Sequence, residues 1–131
     1  MIPKITNIHL MMERADFQYI AQQLVKWYRL RSKVKFNVRG NAEGDYDFDT
    51  DTINLRKNYP SVKEFIVSVL HEIHHAKQVK KYGKKKFLKK YVQAGDMANW
   101  DGFDRYDKNK WEIKAENWAK QEYNRRWKNK F

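Results

Sequence analysis

Cysteine is absent from this chain of 131 residues. That excludes disulfides and thiolate ligands, so any bound metal must be held by nitrogen and oxygen. Proline occurs twice and glycine five times, and no Pro/Gly/Ser-rich linker or internal repeat divides the chain. Long apolar runs are also missing. The longest, "FIVSVL", is six residues with a serine inside, far short of the ~20 needed to cross a bilayer. The opening residues "MIPKITNIHLMMERAD" have no extended apolar core followed by a small-residue cleavage site. No secretory signal is therefore expected, and the cytoplasm is the expected compartment, with no membrane partner. Histidine is scarce, with four copies, and acidic residues are missing altogether between Ile73 and Gly95.

Hydrophobic residues make up 41% and aromatics 15%, which is too rich for a disordered chain. The length suits one domain with a modest core, expected to span residues 1–131. The net charge of +12 is unevenly spread. "KQVKKYGKKKFLKKY" carries Lys77, Lys80, Lys81, Lys84, Lys85, Lys86, Lys89 and Lys90, whereas "EGDYDFDTD" packs five acids into nine residues. The lysine block could contact nucleic acid or an acidic partner, with Tyr82, Phe87 and Tyr91 interleaved to stack on bases. The ordinary alternative is a solubilising face.

Periodicity gives a coarse architecture. Phe17, Ile20, Ala21, Leu24 and Tyr28 recur at helical spacing across residues 12–30. "KVKFNVR" alternates as a half-buried strand and "TINLR" reads as a second. "SVKE", after Pro60, is a capping box that opens a helix from Ser61 to about Gly83. A short helix over 84–93, a loop from Gly95 to Asn109 and a last helix over 109–128 complete an α+β chain. The acidic run does not form an EF-hand. Thr50 stands where the loop glycine belongs, and Arg56 stands where the bidentate glutamate belongs.

"HEIHH" supplies three of the four histidines. On a helix, His71 and His75 stack one turn apart, opposite the stripe of Val62, Phe65, Ile66, Val69, Ile73 and Ala76. With Glu72 they match H-E-x-x-H, two zinc ligands and a carboxylate beside a metal-bound water. The other histidine, His9, lies far upstream and none follows His75, so a carboxylate is the expected third ligand. In "KWEIKAENWAKQEYNRRWK", Glu112 and Glu116 share a face with Ala119, Tyr123 and Trp127. Carboxylates on a face that looks buried call for pairing or a metal.

"HEIHH" and, 36 residues on, "EIKAENWA" together resemble the gluzincin metallopeptidases, closest to the ImmA/IrrE-like proteases and minigluzincins. The resemblance implies a zincin-like α+β domain with one zinc ion per chain. It implies His71, His75 and Glu112 as ligands, Glu72 as general base, and Glu116 as the acid that orients a ligand imidazole. The family more often has aspartate at that last place. It also implies that the strand at 52–56 is the sheet edge that aligns a peptide substrate. A phage or mobile-element protein acting on a regulatory protein, in the host cytoplasm, is the implied setting. Arg105, Tyr106 and Tyr123 are candidate oxyanion stabilisers, and His74, without a motif role, is expected to be exposed, the alternatives being a further ligand or a group that supports one. The alternative function is a non-enzymatic basic protein on the same scaffold, binding nucleic acid or an acidic partner.

Overall fold

The computed structural model describes residues 14–38, 42–100, 102 and 109–130. Among them the chain forms helix α1 (Arg14–Trp27), strands β1 (Lys33–Val38), β2 (Gly44–Asp47) and β3 (Thr52–Arg56), then helices α2 (Val62–Tyr82), α3 (Lys84–Trp100) and α4 (Lys110–Glu122). A π-helical turn, Tyr123–Trp127, continues α4. This is a small α+β arrangement of four helices and a three-stranded sheet. No helix among the described residues is long and apolar enough to cross a membrane.

The expected stripes form the main core. Ile20, Ala21 and Leu24 of α1, Ile53 and Leu55 of β3, and Phe65, Ile66, Val69 and Ile73 of α2 are fully buried together. The rings of Phe17 and Tyr59 meet Phe65 edge-on. Ser61 caps α2 as its sequence predicts, its hydroxyl accepting from the Glu64 N–H at 3.2 Å. Gly83 ends the helix at φ 83, a left-handed conformation that costs glycine little, and α3 begins at the next residue.

Three expectations change. The acidic run contains a strand, β2, which pairs antiparallel with β3. Its acids hold the hairpin. Asp47 accepts from the Asp49 and Thr50 N–H groups, and Asp51 accepts from the Ser32 and Tyr46 hydroxyls at 2.6 and 2.7 Å. Because β1 pairs parallel with β3 on the other side, the strand at 52–56 is the centre of the sheet and not its edge. The third change is at Gly95, where a loop was expected: α3 continues to Trp100. Ala94, Gly95 and Ala98 are buried there, and these small side chains let the helix pack closely. Burial of that face overrides weak local propensity.

Candidate metal centre

Two helices supply the centre. His71 and His75 lie one turn apart on α2, and Glu112 lies in the first turn of α4. Asn109, fully buried, fixes that turn. Its Oδ1 accepts from the Trp111 N–H and its Nδ2 donates to the Tyr91 carbonyl of α3, both at 2.9 Å. The α2 face opposite the main core, which a lone helix would leave wet, is covered by α4. His71, Glu72, His75 and Glu112 are all buried.

Glu112 Oε1 lies 2.7 Å from Nε2 of both His71 and His75, and its Oε2 accepts from the Tyr91 hydroxyl. The far side of each imidazole is also engaged. His71 Nδ1 donates to Glu116 Oε1 at 3.3 Å, and His75 Nδ1 donates to Gln78 Oε1 at 2.9 Å. One ligand atom from each of His71, His75 and Glu112 lies within 4.8 Å of the others, so this buried group could hold a metal ion. The donors fit zinc: two imidazoles and a carboxylate at bond lengths of ~2.0–2.2 Å place neighbouring ligand atoms about 3.4 Å apart in a tetrahedron. The 2.7 Å spacings need widen by only a fraction of an ångström. Nδ1 of each histidine already faces an acceptor, which leaves Nε2 as the coordinating atom.

With both nitrogens facing acceptors, each metal-free imidazole favours its doubly protonated form. Burial pulls His71 down, but the bonds to Glu112 and Glu116 outweigh it and raise its pKa to about 10. His75 is raised against burial by Glu112. Burial would raise Glu112, yet its two histidine partners hold it well below the usual carboxylate range. Glu116, half-exposed, is lowered by its bond to His71. Glu72 behaves differently. It is 4% exposed, makes no hydrogen bond among the described residues, and is pushed by burial up to about 7, with His71 and His75 holding it back.

Glu72 and Glu112 separate two cavities. One, of about 680 Å³, is bordered by Glu43, Glu64, His71 and Glu116. The other, of about 270 Å³, lies between β2 and α3 and is bordered by Gly44, Tyr46, Phe48, Leu88 and Tyr91, with His75 at its floor. Gly44 is where β2 and Glu72 approach closely: a Cβ there would sit 3.2 Å from Glu72 Oε2.

Other expected site residues fall elsewhere. Arg105 and Tyr106 lie outside the described residues. Tyr123 packs in the main core, its ring beneath Lys63 at 5.8 Å, and borders neither cavity, so its buried position serves packing. His74 is half-buried, not exposed. It lies against Trp118 at 5.0 Å with Nδ1 buried and without a partner, and burial lowers its pKa to about 4. Lys80, Lys81, Lys84, Lys85, Lys86 and Lys89 are exposed and Lys90 is half-exposed. The interleaved aromatics are engaged: Phe87 is buried, Tyr82 meets Trp111 and lies under Lys81 Nζ at 5.2 Å, and Tyr91 meets Glu112. The block therefore carries charge with no fully exposed ring among these three aromatics.

Three contributors escaped the sequence reading. Gln78, three residues after His75 on one helix, was findable from i, i+3 spacing. Tyr91 and Gly44 carried no local signal, because their roles depend on α3 and β2 being brought to α2. No protein-family model, curated protein or solved structure matches the chain.

Proposed function

We propose that the protein is a zinc-dependent metallopeptidase of the gluzincin type, on a zincin-like domain, with His71, His75 and Glu112 as the zinc ligands. The observation that carries this reading is the convergence of Nε2 of His71, Nε2 of His75 and Oε1 of Glu112 beside a buried Glu72 carboxylate that has no hydrogen-bond partner among the described residues. A structural metal site has no use for such a carboxylate, whose burial is costly.

Zinc held there would supply Lewis-acid chemistry, lowering the pKa of water towards about 7 and polarising a peptide carbonyl. The chain's own residues handle the proton. Glu72 takes a proton from the attacking water as the oxygen–carbon bond forms. It then gives that proton to the amide nitrogen as the carbon–nitrogen bond breaks. Glu116 and Gln78 hold the imidazole rings by Nδ1. The edge strand β2, and not the central β3, would align a peptide; Gly44 and Tyr46 at the border of the cavity that includes Glu72 support this. A host regulatory protein is the substrate class that fits the resemblance.

Elemental analysis of the purified protein and of His71→Ala and Glu112→Ala should find one zinc per chain in the parent and a sharp loss in both variants. Glu72→Gln should keep the zinc and lose cleavage of a mixed peptide substrate. No zinc after reconstitution, or cleavage undiminished in Glu72→Gln, would overturn the reading.

A further inference from the structure

A third cavity, sharing no residue with the metal centre, opens where the end of α1 meets the π-helical turn. It has a volume of about 630 Å³ and is bordered by Gln23, Lys26, Trp27, Arg125, Arg126, Trp127 and Lys130. Four of these are cations, two are indoles, and none is acidic. Trp27 is 57% exposed, an unusual position for so large an apolar ring. Trp127 behind it is buried and meets it edge-on, with centroids 5.6 Å apart. An edge-on pair uses a ring face on one side only.

The cations are arranged and not merely near. Lys128 N–H reaches back five residues to the Tyr123 carbonyl at 2.8 Å, the wider turn that sets Arg125, Arg126 and Trp127 around the cavity mouth. Buried Glu122 accepts from Arg125, and its other oxygen lies 3.3 Å from Arg126 Nε. Each guanidinium has five N–H donors, so one carboxylate leaves most of them for another anion. Both arginines are exposed.

Indole faces beside cations select a flat aromatic group carrying phosphate. We infer that this cavity binds single-stranded nucleic acid, one base stacking on Trp27 while Arg126, Lys26 and Lys130 contact the adjoining phosphates. The net charge of +12 favours a polyanion over a free nucleotide. The lysine block, whose interleaved rings are less exposed than Trp27, would extend the electrostatic track.

The test is fluorescence anisotropy of a labelled single-stranded oligothymidylate of about 12 nucleotides, within the site sizes of single-strand binders, titrated with the full-length protein over a range of salt. Trp27→Ala, at an exposed position that leaves the core intact, should weaken binding roughly 5- to 100-fold, the loss of one stacked base. The double variant Lys26→Ala, Lys130→Ala should flatten the log–log salt slope by about 1.4, two phosphate contacts on a single strand. Heparin, a polyanion without bases, should be insensitive to Trp27→Ala. Absence of binding at low salt overturns the inference, as does an unchanged affinity in Trp27→Ala. A heparin affinity that falls equally with Trp27→Ala removes the stacking, and adenosine monophosphate competing at equal nucleotide concentration replaces the strand by a free nucleotide.

Discussion

The Tyr91 hydroxyl of α3 donates to Glu112 Oε2 of α4, while Oε1 of the same carboxylate faces both His71 and His75 of α2. One carboxyl group thus ties three helices together at the candidate metal centre, and the phenol engages the oxygen that faces neither histidine.

Tyr91→Phe keeps the ring and removes that donor. Zinc affinity, measured by competition with a chromogenic chelator, should fall about 10- to 100-fold, the usual cost of losing a partner to a ligand. Gln78→Leu, which leaves His75 Nδ1 without its acceptor, should fall in the same range. Unchanged affinity in both would mean that the ligands are held by the helices alone.

Gly44→Ala places a methyl group 3.2 Å from Glu72 Oε2 and 3.3 Å from the Asn54 carbonyl. The carboxylate is the freer of the two and should move. The shift needed is a few tenths of an ångström, so peptide cleavage should drop by less than the about 100-fold that a full ångström costs, with zinc content unchanged. Loss of zinc together with activity would place the damage in the fold and not at the base.

Glu122 links stability to pH. Burial would raise its pKa from the ordinary 4.5, but the Tyr28 hydroxyl at 2.5 Å and the two arginines outweigh that and lower it. A depressed folded pKa adds stability that is complete above the unfolded value and lost as pH falls through the folded one. Glu122→Gln should therefore be less stable than the parent by about 1–3 kcal/mol at pH 7 by urea denaturation, and the gap should narrow in acid below about pH 4. A gap of constant size across that range would show that the charge is not what holds the pair.

Phe65 is fully buried, with Phe17 at 4.7 Å and Tyr59 at 5.5 Å between ring centroids. Phe65→Ala should cost about 3–5 kcal/mol, the range for emptying an aromatic site in a core. A loss under about 1 kcal/mol in the same denaturation experiment would mean that the neighbouring rings collapse into the space.

The sequence by itself determined whatever depends on neighbours within a few turns. The apolar stripes of α1 and α2, the Ser61 cap and the stacking of His71 over His75 follow from 3.6-residue periodicity, and Glu112 was readable as a carboxylate on an apolar face. Tertiary structure decided the rest. Whether His71 and His75 sit in water or under cover depended on α4 packing across them, because a helix face has no fixed environment until something lies against it. β2 was hidden because alternating aspartates read as a polar turn, and only pairing with β3 makes them a strand. Tyr91 sits among lysines in the sequence, yet its angular position on α3 turns its hydroxyl to Glu112 while Lys85 and Lys89 turn to solvent. Contacts between residues tens of positions apart are set by how whole elements pack, and local residue pattern carries no record of them.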